Sequence, residues 1–371
     1  MHIICPREEL QKGVSIVSKA VSNKTTMPIL ECILIQTKEG RILMTANDME
    51  LGIETEIHGI IEDNGRIAID AKIFSEIVRR LPDNDISIET DGTDSVKIQC
   101  EKINFTIPGK NADEFTFLPE VERLNCVTLS QFTLKEIIRQ TIFSISDNEN
   151  NKMMAGELLE INGNNLRIVS LDGHRISIRK IVLKDSYDSI KVVVPGKTLN
   201  EVNKILLDSF EPVKIGISKN QALFEMDNCK IVTRILDGEF LNYKNVIPNT
   251  WETRIRVDKN AIQDCFERVS LISSSSIEKE KKYPVKVTID IGKVTISCTN
   301  QTGDAKEEMY VTTEGQNLEA GFNPKYFLDA SRAIDDQEIF INFGTSISPC
   351  IIKPVEEGDY TYMILPIRMK E

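Results

Sequence analysis

One pattern recurs three times along this chain, at intervals of about 125 residues, and it limits the possible folds more than any other feature. Apolar residues at helical spacing, with charged residues between them, predict amphipathic helices at residues 6–21, 131–145 and 259–272. Their apolar positions keep register, so that Leu10 corresponds to Leu134 and Ile262. Such an interval is the size of a domain, which excludes a solenoid of short stacked units.

Further landmarks follow each helix in the same order. Asp48, Asp172 and Asn300 occupy equivalent turns between strand-like runs. Later in each third comes a short strand, then a breaker, then a second helix with lysine as its second or third residue. Strands outnumber helices and alternate in polarity, which favours antiparallel sheets with a helix pair on one face. We therefore predict an α+β fold of three repeated domains, at 1–124, 125–250 and 251–371.

Composition narrows the class of protein. No apolar run approaches the roughly 18–20 residues of a membrane span, and the first ten residues become charged too early for a signal peptide. The eight cysteines include no CxxC pair, and most of them lie in apolar runs. We expect a cytoplasmic protein with reduced, buried thiols, no membrane association, no bound metal and no cofactor.

Charge is distributed unevenly along the chain. The net charge is −12, which would repel DNA if it were spread evenly. The six expected helices nevertheless hold 15 basic and 10 acidic residues, so the rest of the chain carries −17. A weakly basic helical surface is typical of non-specific contact with phosphates, and the helices carry no motif that reads bases.

Asp172-Gly173-His174-Arg175 joins two strand-like runs and raises the question of catalysis. An acid beside a histidine could form part of a catalytic dyad. Asp-Gly is also a turn dipeptide, the equivalent turns of the other repeats carry no histidine, and no accompanying catalytic motif is present. A structural turn and part of a binding surface remain the two other interpretations. The apolar C-terminal run, from Tyr360 to Met369, could close a sheet or line a groove.

Taken together, these residues resemble the bacterial sliding clamp family, the beta subunit of DNA polymerase III, over the whole length of the chain. The motifs that carry the resemblance are Met27-Pro28-Ile29-Leu30, Asp48 with Glu50, Asp172-Gly173-His174-Arg175, Leu236-Asp237-Gly238-Glu239-Phe240 with Tyr243, and Leu365-Pro366-Ile367-Arg368. The resemblance implies a processivity factor rather than an enzyme. It implies a head-to-tail homodimer, a six-domain ring around duplex DNA, with paired helices inside and antiparallel sheets outside.

The resemblance also implies three sets of site residues. Candidates for contact with DNA are Lys12, Lys24, Lys72, Arg79, Arg80, Asn148, Lys152 and Lys197. Candidates for a groove that binds short peptides of the replicative polymerase, the clamp loader and repair proteins are Met154, Leu171, Gly173, His174, Arg175, Ile176, Leu241, Val246, Pro349, Met363, Ile364, Leu365, Pro366, Ile367 and Arg368. Candidates for the dimer contact are Phe105 and Ile107 of one chain with Leu271 and Ile272 of the other.

Two positions in the groove set differ from the family pattern: Leu241 stands where proline is usual, and Asn245 where a basic residue is frequent. The polar segment 273–282, beside the dimer candidates, is expected to be a solvated loop. Two alternatives to the clamp stay open: a protein scaffold that never encircles DNA, and a hydrolase that uses Asp172 and His174.

Overall fold

The structure is a computed structural model, and it describes residues 1–22, 25–90, 95–119, 121, 126–148, 151–274, 284–356 and 358–369. Over these ranges it contains six α-helices: α1 (Arg7–Val17), α2 (Ala71–Arg80), α3 (Gln131–Arg139), α4 (Gly196–Ile205), α5 (Lys259–Ser274) and α6 (Pro324–Ala333). No described helix has the length and apolar character needed to cross a membrane. No group of three potential metal-binding side chains occurs within the same ranges.

The described strands are all paired in antiparallel fashion. The first half of the chain supplies β1 (His2–Pro6), β2 (Cys32–Lys38), β3 (Arg41–Asn47), β4 (Leu51–Ile57), β5 (Ile60–Asp63), β6 (Arg66–Asp70), β7 (Asp85–Glu89), β8 (Ser95–Cys100), β9 (Ile103–Lys110), β10 (Val127–Ser130), β11 (Gly156–Leu171) and β12 (Arg175–Pro195). The second half supplies β13 (Pro212–Ile217), β14 (Gln221–Met226), β15 (Cys229–Arg234), β16 (Thr253–Asp258), β17 (Val285–Asp290), β18 (Lys293–Asn300), β19 (Gly303–Tyr310), β20 (Thr312–Gly315), β21 (Leu318–Phe322), β22 (Glu338–Phe343), β23 (Cys350–Pro354) and β24 (Tyr360–Ile364).

Helix ends follow local chemistry. Asp70 caps α2 by accepting a hydrogen bond from the backbone N–H of Ile73 at 2.9 Å, and Asn323 caps α6 in the same way. The third helix is shorter than the sequence predicts, because α3 ends at Arg139 and a short 3₁₀ turn follows. Near this end the Thr141 hydroxyl donates to the Ile137 carbonyl at 2.7 Å, a local bond that competes with helix continuation.

The first compact unit comprises residues 1–134 and 201–235. Its thirteen strands form one sheet in the order β10-β13-β14-β15-β4-β3-β2-β6-β9-β8-β7-β1-β5. The sheet continues from the first repeat into the second because β15 pairs with β4, with Ile231 opposite Ile53. Helices α1 and α2 pack side by side in this unit and bury Leu10, Val14 and Phe74.

The second compact unit comprises residues 135–200 and 236–371. It holds a seven-stranded sheet, β11-β12-β24-β23-β22-β16-β20, and a four-stranded sheet, β19-β18-β17-β21. The rings of Phe266 on α5 and Phe327 on α6 stack 4.5 Å apart, within a buried apolar cluster of this unit. The β11–β12 hairpin of the second repeat therefore shares a sheet with strands of the third.

The threefold repeat is confirmed at the level of single hydrogen bonds. In each repeat the side chain of the turn residue accepts a bond from the backbone N–H two residues later: Asp48 from Glu50 at 3.0 Å, Asp172 from His174 at 2.9 Å and Asn300 from Thr302 at 2.8 Å. The second residues of α2, α4 and α6 are Lys72, Lys197 and Lys325. The fold is therefore α+β, with three repeats of the same helix and strand order.

Candidate functional site

The turn between β11 and β12 is fixed by the Asp172 carboxylate. Its Oδ1 accepts hydrogen bonds from the backbone N–H groups of His174, at 2.9 Å, and Arg175, at 3.1 Å, while its Oδ2 accepts from Arg175 Nε at 2.9 Å. Gly173 has φ +88°, a left-handed conformation that glycine adopts without steric cost. The His174 ring instead stacks on Tyr326, with 6.2 Å between centroids. Asp172 therefore holds the turn. A catalytic dyad would require it to orient the His174 imidazole, which it does not do.

Arg175 is only 5% exposed, and its guanidinium bonds within the protein. It forms ion pairs with Asp172 and, at 2.6 Å, with Asp329 on α6. It also donates to the Phe143 carbonyl and lies 4.7 Å from the centre of the Tyr326 ring. The sequence places Arg175 on the groove wall, whereas the structure places its charged group beneath the turn. Its position ties the hairpin of the second repeat to a helix of the third.

The two stretches that the sequence singles out lie side by side. In the ladder between β12 and β24, Ile176 pairs with Met363 and Arg175 with Ile364. The ladder ends there, and the Leu365 N–H donates to the His174 carbonyl at 2.8 Å. After Pro366 the chain reaches β21, where the Ile367 N–H donates to the Gly321 carbonyl at 2.8 Å. The C-terminal segment therefore runs directly beside the 172–176 turn.

An apolar cluster, here called the groove cluster, underlies this junction. Its buried members include Leu171, Ile176 and Met363, and Met154 and Leu365 pack against it from partly buried positions. Ile364 is buried in the same strand, and Pro349 is partly buried immediately before β23. These residues therefore belong to the packed interior of the junction and are not accessible surface residues.

Three apolar candidates of the groove set are exposed to solvent. Leu241 is 48% exposed, Val246 41% and Ile367 38%. Gly173, His174 and Arg368 are also exposed, and Pro366 is partly buried. Exposed apolar side chains near a buried apolar cluster can contact the anchor residues of a bound peptide.

Sequence reasoning missed the network that holds Leu241 and Val246 in place. Between them, the Tyr243 hydroxyl donates to Glu160 Oε2 at 2.9 Å and accepts from Arg167 at 3.1 Å. Burial raises the pKa of Tyr243 to about 12, so this hydroxyl stays protonated and can donate at neutral pH. The motif around Tyr243 was visible in the sequence, but its partners Glu160 and Arg167 lie about 80 residues away and carry no local signal.

The DNA-contact candidates occur in both units. Lys12 on α1 and Lys72, Arg79 and Arg80 on α2 are exposed in the first unit. Both arginines form ion pairs with Glu76, at 2.8 and 3.0 Å, which reduces their net positive charge. In the second unit, Asn148, Lys152 and Lys197 are exposed near the paired residues Gly156 and Pro195, where β11 begins and β12 ends. Lys24 lies outside the described residues.

The dimer candidates also lie on exposed features. Phe105 is exposed and Ile107 partly buried on β9, which pairs with β8 along its length. On its other side, β9 meets β6 only at Gly109 and Lys110. In the second unit, Leu271 is exposed and Ile272 partly buried near the end of α5. Strand β19 pairs with β18 and forms the edge of its sheet. Most of the 273–282 loop lies outside the described residues.

Comparisons with known proteins agree with the fold. Three models of the DNA polymerase III beta subunit match in order: the N-terminal domain at residues 1–119, the central domain at 128–242 and the C-terminal domain at 244–368. The beta sliding clamp of Staphylococcus epidermidis is 32% identical over 360 residues, covering 94% of both chains. That of Staphylococcus aureus is 31% identical with the same coverage.

Solved structures match over full length. The DNA polymerase sliding clamp of Bacillus subtilis superimposes with a TM-score of 0.96 at 31% identity, covering 100% of both chains. The DNA polymerase III beta subunit of Thermotoga maritima gives a TM-score of 0.91 at 27% identity, again with full coverage. The chain therefore belongs to the DNA polymerase III beta subunit family, the bacterial sliding clamps, and is a non-catalytic DNA polymerase processivity factor.

Proposed function

We propose that two copies of this chain associate head to tail in a closed ring that encircles duplex DNA. The ring slides without sequence preference and tethers the replicative polymerase. Each chain would contribute three clamp domains, at 1–124, 125–250 and 251–371. The observation that carries the proposal is a pair of strands that lack a partner along one side. Among the described residues, β9 of the first unit pairs only with β8 over residues 103–108, and β19 is an edge strand of its sheet in the second unit.

Open strand edges expose unpaired backbone donors and acceptors and are natural sites of strand pairing. Because the two edges differ, pairing β9 of one chain with β19 of another is a heterologous contact, and two such contacts can close a dimer. Phe105 and Ile107 on β9 would then meet Leu271 and Ile272 of the second chain. Burying these side chains would add about 1.5–3 kcal/mol for each fully buried residue.

The dimensions of such a ring suit a DNA duplex. Twelve helices at a spacing of roughly 10 Å give a circumference of about 120 Å and a diameter of about 38 Å between helix axes. Subtracting a helix radius on each side leaves about 28 Å, wider than a duplex of about 20 Å. A layer of water would separate protein and DNA, which favours sliding over tight binding.

Lys12, Lys72, Arg79, Arg80, Asn148, Lys152 and Lys197 would provide the inner surface. Since Glu76 already pairs with both arginines, their attraction to phosphates is weakened. Weak attraction is sufficient in a closed ring, because topology rather than affinity retains the DNA. Lys24 is proposed for the same surface on sequence grounds alone.

The groove cluster would hold a short peptide from the replicative polymerase, the clamp loader or a repair protein. Leu241, Val246 and Ile367 would contact its apolar anchors near the buried residues Leu171, Ile176 and Met363. An apolar anchor that becomes fully buried contributes about 1.5–3 kcal/mol, so two anchors supply about 3–6 kcal/mol. Micromolar binding corresponds to about 8 kcal/mol, so it also requires further contacts, such as backbone hydrogen bonds, in a preorganised groove.

Retention on DNA tests the ring directly. The labelled chain is loaded onto nicked circular DNA by a clamp loader with ATP, freed of the loader, and passed through a sizing column before and after linearisation. We expect retention on the circle and release after one cut. Phe105→Arg is the control variant, which should fail to remain on the circle. Equal retention on linear and circular DNA would contradict topological linkage.

Native mass spectrometry separates this proposal from a scaffold that never encircles DNA. We expect a dimer for the unmodified chain and a monomer for Phe105→Arg. A monomer at micromolar concentration for the unmodified chain would favour the scaffold instead.

A further inference from the structure

A cavity lies in the second unit, at the opposite end of β24 from the groove cluster. Strand β24 begins at Tyr360, which lines this cavity, and ends at Ile364, which is buried beside the groove. Four steps of about 3.3 Å separate the two ends by about 13 Å. The cavity has a volume of about 450 Å³, within the usual range for a ligand site.

The lining is predominantly acidic. Two arginines, Arg179 and Arg256, face five carboxylates, and Glu338 neutralises Arg256 through an ion pair at 2.5 Å. Arg139, outside the lining, pairs with Asp335 at 2.7 Å. The lining carboxylates are Asp335, Asp336, Glu338, Glu356 and Asp359. The acidic pocket, as we call it, therefore keeps a net negative charge, which disfavours nucleic-acid phosphates.

Internal pairing leaves specific groups unsatisfied. Asp336 accepts a hydrogen bond from the Tyr360 hydroxyl at 2.7 Å, but no described cation pairs with it. The Asp359 carboxylate takes part in no described ion pair, although the Asp359 backbone carbonyl accepts a hydrogen bond from the Lys180 N–H at 2.7 Å. Both carboxylates are therefore available to a cation from outside.

Two buried atoms point independently to a ligand. Gln140 is only 7% exposed, and its Oε1 has no hydrogen-bond partner, while its Nε2 donates to Asp335 at 3.1 Å. Arg179 Nε is likewise buried without a partner, and its guanidinium pairs with no described carboxylate. Buried polar atoms without partners are costly, and here an acceptor and a donor belong to residues that line one cavity, which favours a ligand that satisfies them.

We propose that the acidic pocket binds a basic segment of a partner protein, with an arginine or lysine side chain on Asp336 and Asp359. Arg179 then donates to a backbone carbonyl of the segment, and Gln140 Oε1 accepts from an N–H group. A peptide carries all three complementary groups, whereas a simple metal ion would leave Arg179 unsatisfied and repelled. The site is separate from the groove cluster and gives each chain a second point of contact.

A pair of peptides that match in shape but differ in charge tests this. Acetyl-Ala-Arg-Ala-amide and acetyl-Ala-citrulline-Ala-amide have nearly the same shape, but only the first carries a cation. Ligand-observed NMR titration of the full chain should show the arginine peptide binding at least about tenfold more tightly than the citrulline peptide. Asp336→Asn and Asp359→Asn should each remove most of this preference, and Arg179→Gln should weaken both peptides. Glu314→Gln, an exposed acid-to-amide change on β20 of the same unit, should change neither.

Several results would overturn the proposal. These are equal binding of the two peptides, unchanged preference in both aspartate variants, or no binding at about 10 mM peptide, where an interaction is too weak to matter. Spermidine binding as tightly as the arginine peptide would also overturn it, because a polyamine lacks the carbonyl that Arg179 requires. If Asp336→Asn disturbs the fold, as judged by circular dichroism, Asp359→Asn decides the question, since its carboxylate has no internal ion pair to lose.

Discussion

Arg175 offers the sharpest test of how the proposed groove is held together. Replacing it by glutamine removes the guanidinium shared by Asp172 and Asp329 and leaves two carboxylates in its place. Their side chains are only 14% and 18% exposed, so water can restore little of the lost solvation. Breaking a buried ion pair by removing one partner costs about 3–5 kcal/mol. The contact with the Tyr326 ring, at 4.7 Å, is lost as well.

The chain contains a single tryptophan, Trp251, which lies in the second unit with its ring 4.3 Å from the Arg254 guanidinium. Its fluorescence during urea denaturation therefore reports on the unit that contains Arg175. We expect Arg175→Gln to lower the free energy of unfolding of this unit by about 3–5 kcal/mol. Lys180→Gln, an exposed change on the same strand, should alter it by less than about 0.5 kcal/mol.

A double-mutant cycle separates the ion pair from general damage. With Asp329→Asn added, no second carboxylate remains unpaired, so the double variant should be less destabilised than the sum of the single variants by about 1–3 kcal/mol. Binding of a groove peptide should fall alongside stability, because the 172–175 turn loses its anchor on α6. A loss below about 1 kcal/mol for Arg175→Gln, or strict additivity, would refute the reasoning.

Three further predictions test other parts of the molecule. Burial raises the pKa of Glu157 to about 8, and the nearby hydroxyls of Thr141 and Ser170 oppose this shift with a smaller effect. The folded state therefore holds a proton that the unfolded chain releases above about pH 4.5. The free energy of unfolding should consequently fall as the pH rises from about 5 to 8. Glu157→Gln should abolish most of that fall in urea titrations by Trp251 fluorescence, and a parallel pH profile would contradict it. Ile367→Ser should weaken the binding of a groove peptide about tenfold, as measured by fluorescence anisotropy, without changing the urea midpoint. Unchanged peptide affinity would place Ile367 outside the site. His174→Ala should likewise weaken peptide binding. Hydrolytic turnover by the unmodified chain that is lost in this variant would support the catalytic interpretation instead.

Features that depend on side-chain pattern within one repeat could be predicted from the sequence. Helical spacing identified α1, α3 and α5, although α3 ends six residues before the predicted limit. The turn residues Asp48, Asp172 and Asn300 were equated by position, and their hydrogen bonds are equivalent. In these cases the chemistry that determines the structure lies within a few residues of the signal.

Features that depend on distant residues could not be predicted. The pairing of β15 with β4 uses backbone groups, which every residue type carries, so no side-chain pattern marks it. Arg175 looked like an accessible groove residue because its partner Asp329 lies 154 positions away. The acidic pocket draws Gln140, Arg179 and Asp336 from three separate stretches of chain, and none of them stands out in its own segment.

The three equivalent turns differ in sequence, and these differences bear on the proposal that each chain has a single groove. In the first repeat Met49 takes the left-handed position of the turn, at φ +76°, and in the second Gly173 takes it, at φ +88°. In each of these two turns the aspartate, Asp48 or Asp172, accepts a hydrogen bond from the backbone N–H two residues later. The turn itself therefore does not require glycine. Glycine removes side-chain bulk where a ligand backbone could approach, and the Arg175 that follows reaches Asp329 in the next repeat. The repeat therefore supplies the scaffold, and the second copy differs from the first at three positions of this turn, where Gly173, His174 and Arg175 replace Met49, Glu50 and Leu51.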